Sequence, residues 1–147
     1  MRPEEAALRI SDRASTLGRN DAKTTGDARA EIATGVVRLY SQYYGKGPTR
    51  AKAHLSEDLV VVVLEETFTK AERTLVERGE IEAIQQIRRR FQQAMAEEFT
   101  GVVEQATGRV VRAFLSETNL EADVSVEIFL LGEQSTDLRA FEPEPTS

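Results

Sequence analysis

The sequence has no cysteine and only one histidine among its 147 residues. The absence of cysteine excludes disulfide bridges, thiolate nucleophiles and cysteine-bound zinc or iron–sulfur centres. A single histidine cannot supply the imidazole pair of a His-rich metal site. Asp and Glu outnumber Lys and Arg by 25 to 19, and the net charge of −6 disfavours contact with nucleic-acid phosphates. We therefore predict no metal, no other cofactor and no nucleic-acid partner.

Long hydrophobic runs are also missing. The longest aliphatic run, residues 59–64, is far shorter than the roughly 20 residues that a membrane helix needs. The first residues lack the apolar stretch of a secretory signal. With 40% hydrophobic and 30% charged residues, the composition is typical of a globular domain. We expect a soluble, cytoplasmic protein with no membrane span of its own.

Patterning divides the chain into three parts. Residues 1–26 are polar and interrupted by glycine, asparagine and threonine, which predicts a mobile N-terminal arm. Residues 27–131 carry strong periodicity and form a single predicted domain. Residues 132–147 contain two prolines and several acidic residues without periodicity, which predicts a disordered acidic tail.

The periodic region begins with a helix and a predicted pair of strands. Apolar residues at helical spacing run from residue 32 to 44, and the glycine at position 45 ends this helix. Residues 50–56 alternate between apolar and basic side chains and predict a half-buried strand. The β-branched run at residues 59–64 predicts a central strand.

The second half repeats this plan after an additional short helix. Thr69 and Glu72 have capping-box spacing and predict the start of the short helix, which ends at Gly79. A long amphipathic helix follows and ends at Gly108. Strands are predicted at residues 110–116 and 123–131, which completes the order α-β-β-α-α-β-β.

An internal repeat links the two halves. Residues 51–57 align with residues 111–117 at a constant offset of 60, with identical residues at four positions. We interpret the domain as two αββ-type units about a pseudo-twofold axis, although chance similarity of two amphipathic hairpins is an alternative. The predicted class is α+β, with a four-stranded antiparallel sheet covered by helices on one face. The other face predicts a homodimer interface.

Four segments in this order resemble the MpsC-like family of small bacterial proteins. They are LYSQYYGKGPT at residues 39–49, DLVVVVLE at 58–65, AERTL at 71–75 and VRAFLS at 111–116. The family is named for a sodium-linked, membrane-potential-generating system whose membrane partners are implicated in inorganic-carbon uptake. The resemblance implies a non-catalytic accessory or regulatory protein associated with membrane transporter subunits that move sodium or bicarbonate. It also implies a position peripheral to the inner face of the cell membrane, and it supplies no catalytic residue.

The loop that follows the first helix is the most site-like segment. Two glycines allow backbone amides to face one point, and nearby side chains add donors. Its candidate anion-binding residues are Gly45, Lys46, Gly47, Thr49 and Arg50. Phosphate loops open onto a helix N-terminus, whereas this loop precedes a strand, so a helix cap followed by a turn is the simpler interpretation. A soluble sensor of a small anion is the alternative function that this loop would support.

Two further sets of side chains are candidates for a partner interface. Tyr43 and Tyr44 lie at the end of the first helix, where aromatic side chains often contact a partner. Arg88, Arg89 and Arg90 are expected to spread over the outer arc of the long helix, which favours a solvated face or attraction to an acidic partner.

No set of residues has the pattern of an active site. His54 lies on the basic side of a strand with no serine or cysteine motif beside it. Its repeat counterpart is Phe114, which predicts that this position packs against apolar groups. Adjacent glutamates diverge on a strand or helix and cannot converge on one bond. We expect no enzymatic activity, and an enzyme built on His54 and carboxylates is the least favoured alternative.

Overall fold

The computed structural model describes residues 24–134, which form three helices and four strands in the predicted order. The helices are α1 (Thr25–Tyr44), α2 (Lys70–Glu77) and α3 (Ile81–Thr107). The strands are β1 (Arg50–Ser56), β2 (Leu59–Glu65), β3 (Arg109–Asn119) and β4 (Val124–Gln134). The predicted α+β class and element order are confirmed.

The four strands form one antiparallel sheet in the order β1-β2-β4-β3. The hairpins β1–β2 and β3–β4 meet where β2 pairs with β4, so each predicted unit contributes one half of the sheet. Helix α1 packs against β1, α3 packs against β3, and the two helices contact each other over the same face. This arrangement confirms the predicted antiparallel sheet with helices on one face.

The helix ends follow the predicted caps, but the domain is longer than predicted. Gly45 and Gly108 end α1 and α3 with positive φ angles of 78° and 70°. Helix α1 already begins at Thr25 because the Thr24 hydroxyl accepts a hydrogen bond from the Asp27 amide at 3.0 Å. Strand β4 continues to Gln134, so residues 132–134 belong to the sheet rather than to a tail. The rest of the two predicted arms, residues 1–23 and 135–147, lies outside the described residues.

The core lies between the helices and the inner face of the sheet. Its most buried side chains are Ile32, Val36 and Tyr40 of α1, Met95, Phe99 and Val103 of α3, and Val60, Val62, Leu64, Phe129 and Leu131 of the sheet. The two helices approach closely at Gly35, where an added Cβ would meet Val102 Cγ1 at 2.7 Å. A glycine is therefore required at this helix crossing.

The outer face of the sheet carries no helix within residues 24–134. Strand β1 alternates as predicted, with Arg50, Lys52 and His54 exposed on this face. The central strands place apolar side chains on the same face, and Leu59 and Leu115 are 36% and 53% exposed. An apolar surface is thus left uncovered by the described part of the chain.

A bulge in β3 breaks the internal repeat. Val111 pairs with Leu131 and Ala113 pairs with Leu130, so one extra residue stands in β3 between them. One extra residue moves every later side chain to the opposite face of the strand. Phe114 therefore contacts the core, whereas His54 is exposed on the outer face. The prediction that His54 packs against apolar groups is wrong for this reason.

Candidate functional site

One arginine lies on the core-facing side of α3 and is buried. Arg88 lies four residues after Ile84 and seven before Met95, so it shares their inward-facing stripe. It is 2% exposed, although we predicted an exposed position for it. Arg89 and Arg90 are exposed, as predicted. Arg88 is consequently removed from the set of surface residues that a partner could contact.

The guanidinium group of Arg88 is held from three sides. Its Nε donates to Glu72 Oε2 at 2.7 Å, and its Nη2 donates to Glu72 Oε1 at 2.7 Å and to the Thr67 carbonyl at 3.1 Å. The group also lies 4.6 Å from the ring centre of Tyr44 and 5.3 Å from that of Phe68. Burial disfavours the charged form, but the hydrogen bonds and charge of Glu72 together with the neighbouring tyrosines outweigh it and raise the pKa of Arg88.

Glu72 connects this ion pair to the start of α2. Its Oε1 accepts hydrogen bonds from the amide and the hydroxyl of Thr69, at 3.0 and 3.2 Å. The Thr69 hydroxyl in turn accepts from the Glu72 amide, which confirms the predicted capping box. The same carboxylate therefore caps α2 and binds the arginine of α3.

Two polar atoms beside this ion pair have no hydrogen-bond partner among residues 24–134. They are Arg88 Nη1 and Tyr44 Oη, and both are buried. Burial raises the pKa of the Tyr44 phenol, and the nearby Arg88 charge partly opposes this shift. Buried unsatisfied polar atoms commonly hydrogen-bond to a water or a small polar molecule.

A second buried acid lies on the inner face of β4. Glu127 is fully buried, and the single hydroxyl proton of Ser116 is shared between its two carboxyl oxygens, which lie 2.8 and 2.6 Å from Ser116 Oγ. Burial raises the pKa of this carboxyl to about 8, and the hydrogen bond from Ser116 and the charge of Arg88 only partly oppose the shift. Glu127 is therefore mainly protonated and neutral at pH 7. Burial and the charge of Glu127 also raise the pKa of Tyr40.

We name this cluster the buried arginine centre. Its members are Arg88, Glu72, Tyr40, Tyr44 and Glu127. Its net charge at pH 7 is close to zero, because Glu72 neutralises Arg88 and Glu127 holds a proton. A pocket of about 140 Å³ opens beside it and is lined in part by Arg88, Gln92 and Thr118.

The predicted anion loop has most of its donors engaged within the chain. Lys46 Nζ donates to the Glu66 carbonyl at 2.6 Å, and the Thr49 hydroxyl donates to the Glu66 carboxylate. The Thr49 amide donates to the Glu65 carbonyl at 3.0 Å, and Arg50 lies 3.9 Å from the Glu65 carboxylate. These contacts fasten the loop to the end of β2, as expected for a helix cap followed by a turn. Anion binding by this loop stays a prediction without structural support.

The two tyrosines at the end of α1 contact α3. The Tyr43 hydroxyl donates to Glu98, and both rings lie against Phe91, with centroid distances of 6.4 Å for Tyr43 and 4.5 Å for Tyr44. Their main contacts are therefore within the chain, and contact with a partner stays a prediction.

Other kinds of site find little support in residues 24–134. No group of three or more His, Asp or Glu side chains in this range is arranged to hold a metal ion. No helix in the same range is long and apolar enough to cross a membrane.

Comparison with known proteins gives one match. No curated protein and no solved structure matches the chain. A family model described as "Na+-translocating membrane potential-generating system (MpsC)" matches residues 24–133. These residues coincide almost fully with the folded region described above, from the cap of α1 to the end of β4. The family resemblance noted from the four sequence segments is thus confirmed, and the chain belongs to the MpsC family.

Proposed function

We propose that this protein is a non-catalytic accessory or regulatory protein of a sodium-linked membrane transport system. The observation that carries this proposal is the family match over residues 24–133, whose description names a Na+-translocating system. The family name implies association with a membrane system. We propose further that bicarbonate is the transported form of inorganic carbon and that the protein lies at the inner face of the membrane.

Features of the surface support a role in contacting other proteins. The outer face of the sheet is apolar and uncovered in the described part of the chain, and such a patch commonly marks a protein contact. We propose that this face forms a homodimer, and that exposed Arg89 and Arg90 of α3 contact an acidic segment of the membrane partner.

Co-purification from the native host tests the association. The protein is tagged, membranes are solubilised gently, and captured proteins are identified by mass spectrometry. We expect a polytopic transporter or its large soluble subunit. Capture should fall for the double variant Arg89→Glu/Arg90→Glu but not for Lys70→Glu, an exposed basic residue on α2 that serves as a control. Recovery of the protein without any membrane partner would overturn the proposal.

Uptake measurements test the transported ion. Deletion of the gene should lower sodium-dependent uptake of labelled bicarbonate, and the wild-type gene should restore it. Unchanged bicarbonate uptake together with altered sodium flux would retain the accessory role and reject bicarbonate as the cargo.

A small-ligand sensor is the second candidate, and one observation favours it. Arg88 Nη1 and Tyr44 Oη are buried without a hydrogen-bond partner among residues 24–134, and Arg88 lines a pocket. A sensor would therefore use the buried arginine centre rather than the loop at residues 45–50. Titration calorimetry with bicarbonate and with phosphate tests both sites, because Tyr44→Phe should abolish binding at the centre and Lys46→Ala should abolish binding at the loop. No heat with either anion would reject the sensor.

A further inference from the structure

We propose that two copies of this chain associate through the outer faces of their sheets, related by a two-fold axis that runs parallel to the strands. This inference rests on the homodimer proposed above and specifies its surface and geometry. The composition and the strand register of the sheet indicate that a second copy of the chain covers the apolar face.

The outer face has an apolar centre and charged edges. Alternation along the two central strands places Leu59, Val61 and Val63 of β2, and Val126, Ile128 and Leu130 of β4, on this face. All six are partly or well exposed, in contrast to the fully buried Val60, Val62 and Phe129 of the inner face. A central apolar area with a polar rim is the usual composition of a protein interface.

The two edges of this face differ in charge. Edge strand β1 presents Arg50, Lys52 and His54, whereas edge strand β3 presents Glu117 and, at its bulge, Arg112. Neither Lys52 nor Glu117 forms an ion pair with another of the described residues. Both charges are available to a second molecule.

Strand register places these two charges in the same row across the sheet. Lys52 pairs with Val63, Val63 pairs with Val126, and Val126 pairs with Glu117. The row therefore reads basic, apolar, apolar and acidic from one edge to the other. The next row on this face contains His54, Val61, Ile128 and Leu115.

A two-fold axis parallel to the strands turns each row around onto itself. Strand β1 then faces β3 of the partner, and β2 faces β4 of the partner. Lys52 lies opposite Glu117 of the partner subunit, Val63 lies opposite Val126 of the partner subunit, and symmetry repeats both contacts. A two-fold axis perpendicular to the strands would instead bring the basic β1 strands together, so charge complementarity selects the parallel axis.

The dimensions of the face indicate a dimer of moderate strength. Four strands spaced about 4.8 Å apart and seven residues of about 3.4 Å each give a patch of about 19 by 24 Å. Stable interfaces bury about 800 Å² on each partner, and a patch of this size reaches that range only with its side chains included. We therefore expect dissociation on dilution rather than a permanent dimer.

Charge reversal tests the arrangement by sedimentation velocity over a range of concentrations. Wild-type protein should dimerise, whereas Lys52→Glu and Glu117→Lys should each weaken dimerisation by at least about tenfold, because two like-charge contacts replace two attractive ones. An equimolar mixture of the two single variants should form heterodimers, and the double variant should dimerise like the wild type. Arg89→Glu and Glu97→Lys, which make the same charge changes on α3, serve as controls and should leave dimerisation unchanged.

The possible outcomes distinguish the geometry of the dimer from the existence of the dimer. Dimerisation of the wild type with no effect of charge reversal, or with no rescue in the mixture, would overturn this geometry and leave the homodimer in place. A wild-type protein that stays monomeric at about 100 µM would overturn both the geometry and the homodimer. Leu115→Lys provides a second variant, since this half-exposed residue tolerates a lysine in the monomer and should abolish the dimer. The co-purification experiment tests the membrane association separately.

Discussion

The buried arginine centre contains two acids that are accommodated in different ways. The Glu72 carboxylate accepts four hydrogen bonds, two from Arg88 and two from Thr69 at the cap of α2. Glu127 has only the Ser116 hydroxyl as a close donor, so burial keeps it protonated. We therefore expect the two acids to affect the stability of the protein in different ways.

Loss of the buried cation should destabilise the protein strongly. Arg88→Met leaves the Glu72 carboxylate buried without a counter-charge, and we expect the free energy of unfolding to fall by about 3–5 kcal/mol. Adding Glu72→Gln, which keeps the cap acceptor but removes the charge, should recover about 2 kcal/mol. Urea unfolding followed by circular dichroism measures both effects. Arg89→Met, an exposed control, should stay within about 0.5 kcal/mol of the wild type.

Glu127 should make stability depend on pH. Its pKa rises from the ordinary value of 4.5 to about 8 in the folded state, so the folded protein retains a proton that the unfolded chain releases. Its contribution is complete below pH 4.5 and is lost as the pH rises towards 8, at about 1.4 kcal/mol per pH unit.

The matched variant Glu127→Gln isolates this effect from other titrating groups. Urea unfolding at pH 5, 6.5 and 8 should show the difference in stability between the variant and the wild type shift in favour of the variant as the pH rises. A difference that stays constant across this range would mean that Glu127 is already ionised in the folded protein.

At the scale of the elements, the close crossing of α1 over α3 depends on Gly35, which has no side chain. Gly35→Ala places a methyl group 2.7 Å from Val102 Cγ1, and we expect a loss of about 1 kcal/mol or more despite the better helix propensity of alanine. Gly101→Ala on α3 meets nothing within 4 Å and should instead gain about 0.5–1 kcal/mol. Thermal unfolding of the two variants measures these opposite changes in stability. Higher stability in both variants would mean that α1 and α3 move apart at little cost.

The elements that the sequence predicted well are those with local signals. Glycine ends α1 and α3, a capping box starts α2, and alternation marks β1, so each depends on residues within a few positions. The bulge in β3 has no such signal, because it exists only in the register with β4. This explains why alternation within β1 correctly placed His54 on the basic side, whereas its alignment with Phe114 wrongly suggested apolar packing.

The buried arginine centre was missed for a related reason. The prediction placed Arg88 on the outer arc between two inward-facing residues, Ile87 and Phe91, but its partners come from α1 and α2. Its spacing of four residues after Ile84 was the available signal, since it puts a charge on the apolar stripe. Glu127 alternates with outward-facing Val126 and Ile128, which likewise marks it as inward.

At the scale of the whole molecule, the helices cover only the inner face of the sheet. Because we propose that a second copy covers the outer face, we expect the stability of the fold to depend on dimerisation. If the outer faces associate, the unfolding temperature should rise with protein concentration, because dilution favours dissociation. Calorimetry of the wild type at several concentrations should show this rise, whereas Lys52→Glu should show a smaller rise over the same concentrations. The same dependence in both proteins would contradict a role for Lys52 in the dimer.

The central pairing of β2 with β4 has a consequence for how quickly the chain folds. Each hairpin joins strands that are close in sequence. Residues 59–65 must instead pair with residues 124–130, and two helices and a third strand separate these segments in the sequence. Closing so long a loop loses chain entropy before any contact compensates for it, so this step should set the folding rate. Substitutions at Val62 or Phe129 should therefore slow refolding, while those confined to the tip of a hairpin should mainly speed unfolding.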